Sequence, residues 1–581
     1  MFCFHDQFKI KISQFLSDSI EEKLQLKFPW EKIYPLLGST PSKEAGDMAF
    51  PLFIIAKEAK TNPAMAAKTL ETTTLTPPAF VKSLKAMGPY LNLFLDYNGI
   101  AKELLPEMNS GRFFEQKLTA DTPKTMIEYS QPNTHKEMHV GHMRNLCLGD
   151  SLIRLHRYCG FDIIASTFPG DVGTHVAKCL WYLKYHHEGP IPTERKGAWL
   201  GTLYSAAHNR LEEEKGTEKE AKNREELTAI LKQLEQKSGE FYDLWKETRQ
   251  WSIELMNEVY NWAGVHFDQW YWESEVDSDS VKLIKKYQDQ GLFKEDQGAI
   301  GIDLTDYKLG FCLLIKSDGN GLYATKDIEL ARRKFQDVKI EKSIYIVDKR
   351  QEHHFKQVFK VLELMGFENA KNCFHLQYDF VELPDGAMSS RKGNIIPIQS
   401  LIENMVKLIK ENYLHRYNGT WDEATIEETA QIVAKGAIKY GMTRIDPSKK
   451  IVFDMQEWLK LDGESGPYIQ YAYARIKSML QKLGDPVSKD LNYTVNQEFD
   501  LIAHLGKFNQ VVQEATEQYR PSILTAYLYD LSKLYNSFYA ECPVGPSVEP
   551  VRSSRLHLSR AVALTIQRGL SLLGIQAPEK M

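Results

Sequence analysis

Two imidazoles astride a glycine, His139-Val140-Gly141-His142, are the residues of this chain best placed to do chemistry. Imidazole nitrogens can donate hydrogen bonds to phosphate oxygens, and a glycine lets a flat base or a phosphate come close to the backbone. The apolar run Thr125-Met126-Ile127 stands before them, and Leu148, Leu152, Leu155 and Cys159 recur behind them at helical spacing until Gly160. The pair therefore sits where a strand ends and a helix begins. In an open parallel sheet that junction is where ligands bind, and the helix N-terminus there favours an anion. Two histidines three apart also occur in metal sites and on polar helix faces, so the short motif alone leaves those readings open.

A second candidate is the loop Ala387-Met388-Ser389-Ser390-Arg391-Lys392-Gly393-Asn394, which follows the turn Pro384-Asp385-Gly386. Small residues, hydroxyls and two cations suit a strap over a polyphosphate, with Arg391 and Lys392 neutralising charge that grows on a departing pyrophosphate. In isolation the loop reads as a solvated surface turn. Its place after the last expected sheet strand, far in sequence from the histidines, favours the functional reading.

The elements that must position these groups are visible as changes of texture. The run Thr125-Met126-Ile127, a helix over 142–159 and the run Phe161-Asp162-Ile163-Ile164-Ala165 form a strand–helix–strand unit that ends in Pro169-Gly170-Asp171-Val172-Gly173. The stretch 190–265 is charge-rich and helical; it reads either as part of an insertion between two halves of a doubly wound sheet or as a separate helical domain. The sheet is expected to resume at Phe311–Ile315 and continue through Ser343–Val347 and Phe374–Val381, with a helix over 353–365 between the last two. From 400 onward the chain reads as helical almost throughout. Residues 1–110 mix helical stretches with turn signals and one alternating strand, Tyr90–Leu95.

Composition sets wider bounds. A chain of 581 residues exceeds a single core and suggests three or four domains. Seven scattered cysteines include no Cys-x-x-Cys pair, so neither a zinc ribbon nor a disulfide framework is indicated, which fits a reducing cytosol. No secretory signal or membrane span is visible. With a net charge of −5, any nucleic-acid surface must be local. The C-terminal stretch is balanced in charge and rich in tyrosine; most of those rings should be core, with one or two free to stack on unpaired bases.

The longer segment Glu128-Tyr129-Ser130-x-Pro132-Asn133-x-x-Lys136-x-x-His139-Val140-Gly141-His142 resembles the histidine signature of class I aminoacyl-tRNA synthetases, in the spelling of the arginyl enzymes. The loop at 387–394 is similar to their second signature, Lys-Met-Ser-Lys-Ser, with Ala387 and Ser390 where that signature has lysines. Asp171 and Gly173 match the family's Gly-Asp-Trp-Gly turn, with Val172 in place of tryptophan. Ser465–Arg475 resembles the start of the family's anticodon-binding domain, Leu573–Met581 its C-terminus, and Gly46–Ala49 and Gly88–Asn92 landmarks of its N-terminal domain.

That resemblance implies an α/β fold: a doubly wound, parallel-sheet, Rossmann-like catalytic domain over 120–400 with a helical insertion at about 190–300. It also implies an N-terminal α+β domain over 1–110 that contacts the tRNA D-loop, a helical connecting region at 401–465, and an all-α anticodon-binding domain at 466–581. It implies ATP-dependent joining of L-arginine to tRNA(Arg) through an arginyl-adenylate, with Mg²⁺ accompanying ATP and no structural metal, in a cytoplasmic monomer. His139, His142, Lys136 and Lys392 would be catalytic, Lys136 standing in for the charge the second signature lacks. Gly141, Met388, Ser389 and Arg391 would join the histidines in binding ATP. Glu128, Ser130, Asn133, Tyr323, Asp327 and Gln351 would bind arginine, Asp327 and Glu128 meeting the planar guanidinium in fork geometry. Asp327 reads alternatively as the N-cap of the helix through Leu330 and Phe335. Two rivals remain at this point: a nucleotidyl-transferring relative such as a cysteinyl synthetase or pantothenate-type ligase, and a non-catalytic RNA-binding relative.

Overall fold

Apolar residues with β-branched and aromatic side chains build a central sheet of five strands: β1 (Thr125–Glu128), β2 (Ile163–Thr167), β3 (Gln269–Trp270), β4 (Lys342–Asp348) and β5 (Cys373–Tyr378). The computed structural model describes residues 7–115, 117–119, 122–383, 386–387 and 395–581. All neighbours in the sheet are parallel and their order is β5-β4-β1-β2-β3. The chain winds one way from β1 to β3, then returns to place β4 on the other side of β1. The switch point lies between the C-terminal ends of β1 and β4, which is where such sheets bind ligands.

Helices carry the crossovers. α1 (Val140–Cys159) joins β1 to β2, α2 (Thr174–Tyr185) follows β2, α3 (Tyr323–Asp337) precedes β4, and α4 (Glu352–Leu364) joins β4 to β5. α1 is buried along most of its length, between the sheet and the C-terminal helices. Gly149 makes the closest approach possible: a Cβ there would lie 2.1 Å from the Tyr129 ring. The polar residues that α1 buries are used as ties. Asn145 accepts from Ser130 N at 2.6 Å and donates to Ile346 O at 2.9 Å, linking α1 to β1 and β4. Arg144 lies under the C-terminal end of the helix Glu423–Thr443, donating to the carbonyls of Met442, Ile445, Asp446 and Lys449. Asp150 pairs with buried Lys439 at 2.7 Å.

Two expectations about the sheet need correction. Phe311–Ile315 is not in the parallel sheet; it pairs antiparallel with Ala299–Asp303, which pairs with Lys294–Asp296 in a small separate sheet. Phe311 and Leu313 face outward while Cys312 and Leu314 are buried, the alternation of a half-covered antiparallel strand. The strand that does extend the parallel sheet, Gln269–Trp270, lies inside the range expected for the insertion. The helices Lys196–Glu213, Lys219–Glu235 and Glu240–Ala263 fill the excursion between α2 and β3.

The flanking parts are simpler. Residues 7–109 fold as helices around a four-stranded antiparallel sheet whose strands include Tyr90–Leu95. Beyond residue 398 the described elements are helices apart from the short strand Ile451–Val452, which pairs with Val381–Leu383. Among the described residues no helix is long and apolar enough to cross a membrane.

Candidate active site

His139 is the N-cap of α1, and its ring is fixed by the backbone it caps. Its Nδ1 accepts from Gly141 N at 3.1 Å, and its own N–H donates to His142 Nδ1 at 3.0 Å. The two rings lie 4.0 Å apart, centroid to centroid. With both Nδ1 atoms accepting, each neutral ring carries its proton on Nε2. Burial, with Arg350 and Lys136 nearby, pushes His139 down to about 4, and burial with His139 and Lys136 holds His142 well below the usual range. Both rings are thus neutral donors near pH 7, beside the positive end of a helix.

The chain leaving the second signature returns to this point. Ile396 O accepts from Val140 N at 3.0 Å, Ile398 N donates to Met138 O at 3.0 Å, and His139 and Pro397 form an antiparallel bridge. Met388, Ser389, Arg391 and Lys392 themselves lie outside the described residues.

The helical excursion packs directly on the signature segment. Lys136 Nζ sits 4.7 Å from the centre of the Tyr204 ring. A Cβ on Gly201 would meet Glu137 Cβ at 2.9 Å. His135, buried with a left-handed φ of 59°, bridges Thr134 and Thr248 through its two ring nitrogens at 2.9 and 2.8 Å. Burial and Arg249 press His135 down to about 3. Near Val172, where the family pattern has tryptophan, Trp245 supplies an indole that donates to Asp171 O at 2.7 Å. Arg249 and Ser274 bind the Asp171 carboxylate, both at 2.7 Å.

The residues expected to bind arginine divide into two groups. Tyr323 opens α3 and is 71% exposed, and Asp327 follows one turn later on the same face. Asp327 is therefore inside the helix, not its N-cap. Its Oδ2 meets His354 Nε2 at 2.6 Å. Asn133 bridges to Gly170, where a Cβ would come within 2.4 Å of Asn133 Oδ1. Gln351 is exposed at the start of α4, just beyond the end of β4.

Glu128 and Ser130 are committed inside the protein. Glu128 Oε2 pairs with Lys334 Nζ at 2.5 Å, and that ammonium also lies 3.9 Å from the Tyr345 ring centre. Ser130 has φ 55°, its hydroxyl meets Tyr260 OH at 3.1 Å and its carbonyl accepts from Thr167, so it shapes the turn and presents no open polar atom. Lys334 and His354 were not singled out in the sequence; each lies far along the chain from its carboxylate, and neither has a local signal. Among the described residues no group of three or more His, Cys, Asp and Glu side chains has the geometry of a metal site.

Among the C-terminal helices, stacked Tyr417 and Trp421 (4.1 Å, 6°) line a groove of about 700 Å³ together with Tyr471, Arg475 and Met581. Tyr473, Tyr527 and Tyr535 are buried.

A doubly wound parallel sheet, with an imidazole pair capping the first crossover helix at its switch point, defines a class I aminoacyl-tRNA synthetase. A model of the family "tRNA synthetases class I (R), catalytic domain" matches residues 106–455, the "Arginyl tRNA synthetase N terminal domain" matches 7–95 and the "DALR anticodon binding domain" 469–581. The arginine–tRNA ligase of Bdellovibrio bacteriovorus is 53% identical, with 99% of this chain and all of that protein aligned. That of Treponema denticola is 35% identical over 93% of this chain and 94% of its own length. The arginyl-tRNA synthetase structure from Thermus thermophilus superposes with a TM-score of 0.78 at 27% identity, covering 98% of this chain and 100% of its own. The chain belongs to the arginyl-tRNA synthetase family, and it charges tRNA with arginine for translation at the expense of ATP.

Proposed function

We propose that the crevice between the ends of β1 and β4 is divided into an ATP half and an arginine half. One observation carries this reading: the capped imidazole pair, with two Nε2 donors fixed at a helix N-terminus, stands at the sheet's switch point. In the first step an arginine carboxylate oxygen attacks the α-phosphorus of ATP, the bond to the β-phosphate oxygen breaks, and pyrophosphate leaves. In the second, the 2′-hydroxyl of the tRNA's terminal ribose attacks the adenylate's carbonyl carbon and AMP leaves. Positioning and charge stabilisation carry such chemistry.

His139 and His142 donate to phosphate oxygens, and Gly141 admits the nucleotide to the backbone. Lys136 adds positive charge beside the two rings, and Lys392, Met388, Ser389 and Arg391 act from the loop whose exit is bridged to His139. Mg²⁺ accompanies ATP, held mainly by phosphate oxygens, and neutralises charge on the leaving pyrophosphate. Asp327 forms the ion pair with the guanidinium and Tyr323 flanks it; Asn133 and Gln351 hold the α-amino and α-carboxyl groups. Glu128, already neutralised by Lys334, backs this half of the site, and Ser130 sets the turn that carries Asn133.

The remaining parts are assigned to tRNA. Residues 1–110 contact its D-loop, 401–465 connect, and 466–581 hold the anticodon stem and loop, with bases stacking in the aromatic groove beside Met581. The chain acts as a cytoplasmic monomer.

Pyrophosphate exchange into ATP, tested with each amino acid and with or without tRNA, is the direct test. Exchange with arginine alone among the amino acids, dependent on tRNA, is expected; exchange with another amino acid, or none, overturns the reading. Asp327→Asn should raise the KM for arginine about 10- to 100-fold, the scale for losing a charged hydrogen-bond partner. An unchanged KM moves the guanidinium site elsewhere.

A further inference from the structure

Asp327 does not stand alone. It lies on α3 with 18% of its side chain exposed, and His354, on the first turn of α4, reaches it across the gap with Nε2 2.6 Å from Oδ2. Among the described residues no lysine or arginine is within ion-pair distance of this carboxylate; His354 is its cationic partner. The imidazole has little freedom: the Phe355 ring lies edge-on at 5.3 Å, and its own exposure is 23%.

We propose that His354 is a positioning residue for the arginine site, which aims the Asp327 carboxylate at the substrate guanidinium and gives up one proton when arginine binds. This rests on the assignment of Asp327 to the guanidinium.

A guanidinium needs a carboxylate with a set orientation and open lone pairs. The bond from His354 Nε2–H fixes Oδ2 and leaves Oδ1 and the second lone pair of Oδ2 for the ligand. Before arginine binds, Asp327 favours the imidazolium. Burial lowers the affinity of His354 for its second proton, but the bond to Asp327 and the charge on that carboxylate outweigh burial, so its pKa is raised from the usual range. The groups facing the ring are few. Asp327 comes from α3, His375 from β5 and Tyr345 from β4, where it borders Asp327. His375 is held down by burial and has His354 beside it, and Tyr345 is held far up by burial, so Asp327 is the charge that His354 answers near neutral pH.

Arginine brings a second cation to the same carboxylate. Two cations on one partly buried anion repel, and the imidazolium is the one that can discharge, losing the Nδ1 proton to solvent and keeping Nε2–H as a neutral donor. By linkage, arginine then binds less tightly as pH falls through the free enzyme's His354 pKa. KM for arginine climbs on that acid limb by up to about tenfold per pH unit, because one proton is exchanged.

The test is the pH profile of the arginine KM in tRNA charging, measured for the wild type, His354→Gln and His354→Ala. Glutamine can still donate to Asp327 but does not titrate. The wild type is expected to show the acid limb, His354→Gln to lose it, and His354→Ala to raise KM on the alkaline side by about 10-fold, the cost of one bond to a charged group. A flat wild-type profile, or an acid limb that survives in His354→Gln, overturns the proposal. A measurement without variants guards against misfolding: calorimetry of arginine binding to the wild-type enzyme with tRNA, at a pH on the acid limb and in two buffers of different ionisation heat. Proton release approaching one per arginine supports the proposal, and no release overturns it. If Asp327→Asn leaves KM unchanged, the arginine-site reading fails; if it raises KM while His354→Gln keeps the limb, only the role of His354 fails.

Discussion

Lys334 and Glu128, 206 residues apart, form an ion pair of 2.5 Å in which the lysine side chain is wholly buried. A carboxylate at the C-terminal end of β1 would be costly to bury alone. The ammonium offsets that cost, and the Tyr345 ring against it adds a cation–π contact. The carboxylate that ends β1 is therefore neutralised within the fold itself.

Lys334→Met should destabilise the protein by about 3–5 kcal/mol, the range for orphaning one member of a buried pair. Urea unfolding followed by tryptophan fluorescence would measure it. Adding Glu128→Gln should recover part of the loss, because the second change removes the stranded charge; a double variant no more stable than Lys334→Met would show that the pair is not the cause.

His142→Ala should slow adenylate formation roughly 10²–10³-fold, the scale for removing one transition-state donor. Its Nδ1 also accepts the His139 N–H, so a smaller loss of thermal stability should accompany it. Wild-type rates of ATP–pyrophosphate exchange in this variant would remove His142 from the reaction.

Gly170→Ala is a steric probe of Asn133. The new Cβ would press on Asn133 Oδ1 at 2.4 Å and on Glu273 Oε2 at 3.1 Å, both ends of side chains. The arginine KM should rise while the melting temperature changes little. An unaltered KM would show that the position of Asn133 does not matter to the substrate.

His135 sets an acid limit on stability. Its folded-state pKa, about 3, is below its usual value of 6.5, so between those values the unfolded chain binds the extra proton. Its contribution is full above that window and is lost as pH falls through it, at about 1.4 kcal/mol per unit. His135→Asn, which tolerates the left-handed backbone, should flatten the fall in melting temperature between about pH 6 and pH 4. An identical slope in the variant would assign the acid sensitivity to other buried histidines, such as His156 or His175.

The imidazole pair could be placed from sequence because an apolar run, a cap and a helical repeat are all local. The same local logic misplaced Phe311–Ile315: five apolar residues in a row hide the alternation that makes it a half-exposed antiparallel strand. Gln269–Trp270, two residues in an aromatic stretch, carries no strand signal at all, and it joins the sheet because β2 offers it an edge. In sequence Asp327 reads as either cap or ligand, because nothing local shows that the helix starts at Tyr323. The Glu128–Lys334 pair is invisible in sequence because its members lie 206 residues apart and meet only once α3 is folded against β1.

Arg144, two residues beyond His142, gives both its Nη atoms to carbonyls of the segment 442–449, and burial pushes its pKa down to about 10. That places a limit on gene shuffling. A crossover with a chain that lacks an arginine at 144 would leave those buried carbonyls without their donor. The first crossover helix and the segment that follows the helix Glu423–Thr443 are thus held together by one side chain, across about 300 residues of sequence.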